Sequence, residues 1–219
     1  AFTSLDENVV AKLFDKASEL KKEIRVWVPG CATGEEVFSL AILLKEYARL
    51  KKLTIKIKLF ATDINNEYLD IASQGIYSSE SIVDIPKPLL TRYFNHKNND
   101  YIIDKSIRSL IVFAPYNLIT DPPFTNIDLI SCRNALIYLK PEIQKRVFHN
   151  LLFGLNIEGY MILGPSESVG DHSEFLNCID NKWKIYQKVK SYRSAGFNIH
   201  TLSSNKYKPR VVAGEKANK

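Results

Sequence analysis

Two hydrophobic rhythms alternate along this chain. Short apolar runs at residues 25–28, 57–62, 110–114, 127–132 and 160–163 have the length and β-branched content of buried strands. Between the first two, residues 35–52 carry Phe38, Ala41, Ile42, Leu44 and Leu50 at helical spacing. A second helix is predicted over 142–155, with Ile143, Val147, Leu151 and Leu152 on its apolar face and Pro141 in its first turn, where no N–H is missed. This alternation predicts an α/β fold with a mainly parallel sheet. Residues 182–188 alternate polar and apolar side chains, which predicts a half-exposed, antiparallel edge strand.

One stretch breaks the rhythm. Between Tyr77 and Leu118 come Pro86 and Pro88, a short amphipathic piece at 89–94, the turn-rich His96-Lys-Asn-Asn-Asp100 and the apolar Tyr101-Ile-Ile103. That chemistry predicts a small β-hairpin insertion at about 85–112, read as an ordinary surface hairpin and not a docking site.

Composition places the 219 residues among single soluble enzyme domains, with 45% hydrophobic and 25% charged residues. No apolar run approaches the roughly 20 residues a membrane span needs, and the start has no signal-peptide pattern, so the reading is cytoplasmic. Cys31, Cys132 and Cys178 are too few and too scattered for a disulfide framework or a metal knuckle, and no metal is expected. The net charge of +6 invites a nucleic-acid reading until it is located. From Lys190 onward there are seven basic residues against Glu215, leaving residues 1–189 with 23 of each sign. The expectation is therefore a neutral domain over 1–189 and a basic, flexible tail over 190–219, with no nucleic-acid partner.

Three strand ends carry candidate chemistry. The first is Val26-Trp-Val-Pro-Gly-Cys-Ala-Thr-Gly-Glu-Glu36, an apolar run that breaks into a glycine turn and opens a helix on two carboxylates. A phosphate site would keep that helix start free for an anion, whereas Glu35 and Glu36 repel one and favour hydroxyls or positive charge. The second is Phe60-Ala-Thr-Asp-Ile64, a strand closing on an acid placed to accept both ribose hydroxyls, or else to cap the helix that follows. The turn is GxxxGEE and not GxGxxG, and Asp63 lies 33 residues after Gly30, so an adenosine without pyrophosphate fits better than a dinucleotide. The third is Asp128-Leu-Ile-Ser-Cys-Arg-Asn-Ala-Leu-Ile-Tyr138, whose Arg133, Asn134 and Tyr138 emerge at the same sheet edge and could share one cleft. Taken singly, each has a plainer reading as an ion pair or packing residue. His96, His149, His172 and His200 are scattered and receive no role.

These motifs, with Leu163-Gly-Pro-Ser-Glu-Ser168, stand in the order and spacing of the CheR family, the chemotaxis-receptor glutamate O-methyltransferases, which the chain resembles from about residue 25 to 188. The resemblance implies a Rossmann-like class I methyltransferase fold, with an antiparallel last strand, using S-adenosylmethionine and releasing S-adenosylhomocysteine. It implies that Gly30, Cys31, Ala32, Gly34 and Glu35 hold the amino-acid end of the cofactor, Asp63 and Ile64 the ribose, and Asn117 and Leu118 the adenine. Arg133 and Asn134 would contact the cofactor where they border the methyl-transfer site, with Arg133 and Tyr138 positioning the substrate carboxylate. The acceptor would be a chemoreceptor cytoplasmic domain.

The motif 163–168 and the ending Asp180-Asn-Lys-Trp-Lys-Ile-Tyr186 are most similar to the branch in which this domain is joined to methylesterase and PAS domains. Members of the family also carry a helical N-terminal domain and an Arg-bearing segment over the cofactor, which this chain is expected to lack. Its insertion looks shorter than in members that dock a receptor's C-terminal peptide, so peptide-independent recognition is expected. Two rival readings remain. Asp121-Pro-Pro-Phe124 resembles the signature of nucleic-acid amino-methyltransferases, in which the ring stacks on an extruded base, although here it precedes a strand instead of ending one. The other rival is a cofactor-binding regulatory module that has lost catalysis.

Overall fold

The computed structural model describes Leu5 and residues 9–191; the expected basic tail lies outside the described residues from 192 onward. Helix α1 (Ala11–Leu20) leads into β1 (Ile24–Pro29), α2 (Glu35–Leu50), β2 (Ile57–Asp63) and α3 (Asn66–Gln74). An insertion follows, with β3 (Ile76–Ser78), α4 (Lys87–Tyr93), β4 (Phe94–Lys97) and β5 (Asp100–Ile103). The chain then runs through α5 (Lys105–Arg108), β6 (Ile111–Pro115), β7 (Ile127–Cys132), α6 (Pro141–Gly154), β8 (Leu155–Leu163), β9 (Leu176–Asp180) and β10 (Ile185–Lys188).

Seven strands form one sheet in the order β6-β2-β1-β7-β8-β10-β9. The pairs β6–β2, β2–β1, β1–β7 and β7–β8 are parallel, while β10 is antiparallel to both of its neighbours. Burial on both faces explains why β1 and β7 read as nearly unbroken apolar runs. Val26 and Val28 face the core under α1 and α2, and Trp27 points the other way into a second core with Val147, Leu151 and Leu152 of α6. The strand order reverses at β1–β7, and ligands of open α/β sheets bind beyond the carboxyl ends at such a point.

Three expectations are corrected. The last strand is not at the edge: β10 lies between β8 and β9. The apparent polar face was misleading because Lys188 is buried, its Nζ donating to the carbonyls of Leu152 at 2.7 Å and Leu155 at 2.6 Å. The edge at that end is β9, a five-residue strand, Leu-Asn-Cys-Ile-Asp, too short and mixed to give much strand signal. The insertion starts earlier than residue 85: β3 pairs with β5, making a three-stranded antiparallel sheet of the hairpin β4–β5. Past Ile103 the chain is no longer hairpin but α5, capped by Asp104, which accepts from the Ser106 N–H at 2.8 Å. No helix among the described residues is long and apolar enough to cross a membrane.

Candidate active site

The carboxyl ends of four adjacent parallel strands carry the sequence-predicted residues. Gly30 to Glu35 follow β1, Asp63 and Ile64 close β2, Asn117 and Leu118 follow β6, and Arg133 and Asn134 follow β7. The structure therefore brings these groups to one sheet edge.

The turn after β1 is shaped by backbone that side chains disfavour. Gly34 has φ +94°, and a Cβ there would meet the Ala72 Cβ at 3.0 Å, so this position needs glycine. Ala32 is left-handed at φ 45° without being glycine, and its N–H donates to Asp63 Oδ2 at 2.9 Å. The other oxygen, Oδ1, accepts from the Asn65 N–H at 2.9 Å. Asp63 thus ties the first turn to the second, and the cap of α3 is instead Asn65, which accepts from the N–H groups of Glu67 and Tyr68. Each carboxylate oxygen can accept more than one bond, so Asp63, only half-buried, keeps capacity for a hydroxyl pair. The Tyr116 N–H bonds the Asp63 carbonyl, and the Asn117 N–H donates to Asp121 Oδ2 at 2.8 Å, which fixes the loop after β6.

The two glutamates at the start of α2 part company. Glu35 is exposed, and the Thr33 hydroxyl donates to its carboxylate at 2.7 Å. Glu36 turns inward, accepting from the Ser131 hydroxyl and, at 3.4 Å, from Arg133 Nη1. Burial is the main reason its carboxyl is raised above the ordinary range, against the lowering effects of Ser131 and Arg133. Burial, with Asp63 and then Glu35 nearby, pushes the Cys31 thiol up to about 12, and burial likewise raises Cys132. Both are protonated at neutral pH and unsuited to thiolate attack.

Beyond β7, Asn134 is the second left-handed non-glycine residue of the edge, at φ 57°. The following turn, Leu136–Tyr138, leaves Tyr138 exposed at 81%. Ile64 is also exposed, at 69%. Sequence reasoning missed Glu167, which is only 5% exposed and whose carboxylate bonds the loop carrying Arg133 and Asn134. The motif containing it was visible, but nothing local in it pointed to a partner 33 positions away.

The Asp-Pro-Pro-Phe segment does not resemble a base-stacking platform. Phe124 packs on Trp27 (ring centroids 5.1 Å apart), Phe60 (5.2 Å) and Tyr116 (5.4 Å), so its ring belongs to the core face.

A reversal of strand order, with an acid closing the second strand and a glycine turn that opens on carboxylates, is the geometry of a Rossmann-like, nucleoside-binding domain. Its residues fit S-adenosylmethionine: an exposed carboxylate, Glu35, suits an ammonium, and Asp63 suits a ribose diol. The family described as CheR methyltransferase, SAM binding domain, matches residues 1–185, and the chain belongs to that family. It is 35% identical over 190 residues to a 104.1 kDa protein of the hypE 3' region of Rhodobacter capsulatus, covering 87% of this chain and 20% of that one. Identity with the Cher3 protein of Pseudomonas putida is 39% over 175 residues, covering 75% and 63%. With the chemotaxis protein methyltransferase of Borreliella burgdorferi it is 32% over 172 residues, covering 77% and 61%. The chain thus spans from a fifth to about three fifths of the length of these relatives.

Proposed function

We propose that this domain transfers the methyl group of S-adenosylmethionine to glutamate side-chain carboxylates in the cytoplasmic domain of a chemoreceptor. The observation that carries this reading is Arg133 at the end of β7, beside the turn that suits the cofactor, with only Nη1 engaged, by Glu36, among the described residues. Its guanidinium has five donors in a planar fork, so a second carboxylate can be bound on the remaining edge. Relatives whose names specify chemotaxis protein methyltransferases support the receptor as acceptor.

When bound, S-adenosylmethionine supplies a methyl already activated on a sulfonium. A glutamate with pKa near about 4.3 is anionic at neutral pH, so no residue of the chain has to remove a proton. The work left to the protein is alignment and charge matching. In this reading Gly30, Cys31, Ala32, Gly34 and Glu35 surround the amino-acid end, Asp63 and Ile64 the ribose, and Asn117 and Leu118 the base. Arg133 and Tyr138 orient the acceptor, with Asn134 between acceptor and cofactor. A cytoplasmic location follows from the acceptor. Attachment to methylesterase and PAS domains is part of the proposal; the match to a fifth of a 104.1 kDa relative supports only that such a domain occurs within a much longer protein there.

The test is methyl transfer from labelled S-adenosylmethionine to receptor cytoplasmic fragments, RNA and DNA, alongside calorimetry with S-adenosylhomocysteine. The proposal expects binding of the product and label on receptor glutamates alone. Label on nucleic acid, or product binding with no acceptor labelled by the full-length protein, would overturn it.

A further inference from the structure

Glu167 lies in the loop after β8, is 5% exposed, and has no role in the chemistry described so far. Its four hydrogen bonds all come from main-chain N–H groups. Oε1 accepts from Ala135 at 3.0 Å and Leu136 at 2.8 Å; Oε2 accepts from Gly164 at 2.6 Å and Asn134 at 3.2 Å. Three of the donors are consecutive, so the carboxylate sits at the start of the Leu136–Tyr138 turn and satisfies N–H groups that have no partner within it. A carboxylate this buried persists only when its acceptor sites are filled, and here four main-chain N–H groups fill them.

The loop that carries Glu167 is fitted to the same place. The Glu167 N–H bonds the Gly164 carbonyl at 3.0 Å, closing a tight turn. A Cβ at Gly164 would meet Asn134 Oδ1 at 2.7 Å and the Asn134 nitrogen at 3.0 Å, so only glycine allows β8 to approach this closely. Asn134, at φ 57°, is held by the bond it makes inside that contact. Arg133 is the preceding residue, and its direction toward Glu36 depends on the backbone that Glu167 clamps.

We infer that Glu167 is a positioning residue for acceptor methylation: its carboxylate fixes the backbone from Asn134 to Leu136, and through it the guanidinium of Arg133. This rests on the acceptor role proposed for Arg133. Glu167 touches neither substrate nor cofactor in this scheme.

The test uses the full-length protein carrying this domain. Glu167→Gln keeps the size but turns one oxygen into a donor, leaving two N–H groups facing N–H. Amide hydrogen exchange at Asn134, Ala135 and Leu136 should accelerate in the variant while the sheet stays protected. Transfer to receptor fragments should lose about 10²-fold in kcat, the cost of a misplacement near 1 Å, with S-adenosylhomocysteine affinity within a few-fold of wild type. The double variant Arg133→Ala/Glu167→Gln should be no slower than Arg133→Ala, because Glu167 acts through Arg133. Additive losses in the double variant, equal loss of product binding and transfer, or unchanged exchange at the three amides would each overturn the inference. If Glu167→Gln does not fold, Glu167→Asp, which draws the same charge back by one methylene, is read by the same measurements. Should the wild type methylate no acceptor, the proposed function fails by itself, and unchanged exchange in the variant would still sink the clamp.

Discussion

The turn after β1 and the loop after β7 each contain a left-handed residue that is not glycine, Ala32 and Asn134, and each is anchored through its N–H to a carboxylate from another strand end. The two carboxylates differ in what they have left to give. Asp63 takes two main-chain bonds and stays half-exposed, whereas Glu167 takes four and is buried. An acid of the first kind can hold its own loop and still receive a ligand. An acid of the second kind is wholly occupied with building the wall, and the chemistry is left, in the proposed reading, to Arg133 on the backbone beside it. The side proposed for the cofactor and the side proposed for the acceptor are thus constructed by the same device used at different degrees of saturation.

The comparison breaks most visibly at Arg133. Arg133→Ala is expected to cost about 10²–10³ in kcat, the loss seen when one preorganised charge contact is removed, with product affinity nearly unchanged. Steady-state transfer and calorimetry on the same variant check this, and a parallel fall in both would move Arg133 to the cofactor side. Asp63→Ala should show the opposite pattern. Removing a charged acceptor for hydroxyls costs about 1.5–3 kcal/mol, so product affinity should weaken about 10- to 100-fold while transfer recovers at saturating cofactor. Calorimetry showing unchanged affinity would remove Asp63 from the ribose.

The two sides also differed in how far they could be read from sequence. The turn after β1 was legible because its chemistry is local: Gly34 and Glu35 are neighbours of the strand they follow, and Asp63 closes the next strand. Strands β1 and β7 were legible because strands covered on both faces read as nearly unbroken apolar runs. The acceptor side was only half legible. Arg133, Asn134 and Tyr138 stood out, but Glu36 reaches Ser131 across 95 positions and Glu167 reaches Asn134 across 33, and no periodicity encodes such pairs. Lys188 was misread for the same reason, since its burial depends on two carbonyls at the end of α6 and the start of β8.

Glu36 sharpens the contrast, because it holds the side chain that Glu167 holds only through the backbone. Its carboxyl is raised by burial, so the folded state binds a proton more readily than the unfolded chain. Stability should therefore fall as pH rises from the ordinary value of 4.5 through the raised one, and ionised Glu36 opposes folding at neutral pH. Glu36→Gln should be no less stable than wild type at pH 7. Its transfer rate should nevertheless drop about tenfold, the loss of one charge-assisted bond to Arg133. Denaturant melts and steady-state kinetics decide it; a destabilised variant with normal turnover would mean that Glu36 serves the fold and not Arg133.

The smallest effect is expected away from the cleft, where a fourth carboxylate joins α2 to the insertion. Glu46 accepts from Arg49 Nη2 at 2.6 Å, Arg92 Nη1 at 2.8 Å and the Tyr93 hydroxyl at 2.7 Å. These contacts, the Arg49 bond foremost, lower its carboxyl to about 2. A depressed acid stabilises the fold above its unfolded value of 4.5 and loses that contribution as pH falls toward 2. Tyr93→Phe deletes one of the bonds and should cost about 1 kcal/mol at pH 7. The difference between variant and wild type should persist through pH 4.5 and shrink only as pH falls toward 2, where Glu46 protonates in the folded state and the bond loses its charge. Product affinity and transfer should not change, because this carboxylate holds the insertion and neither wall of the cleft. Urea unfolding at pH 7 and pH 2 with a single product titration suffices, and altered cofactor affinity in Tyr93→Phe would show that the insertion is coupled to the site after all.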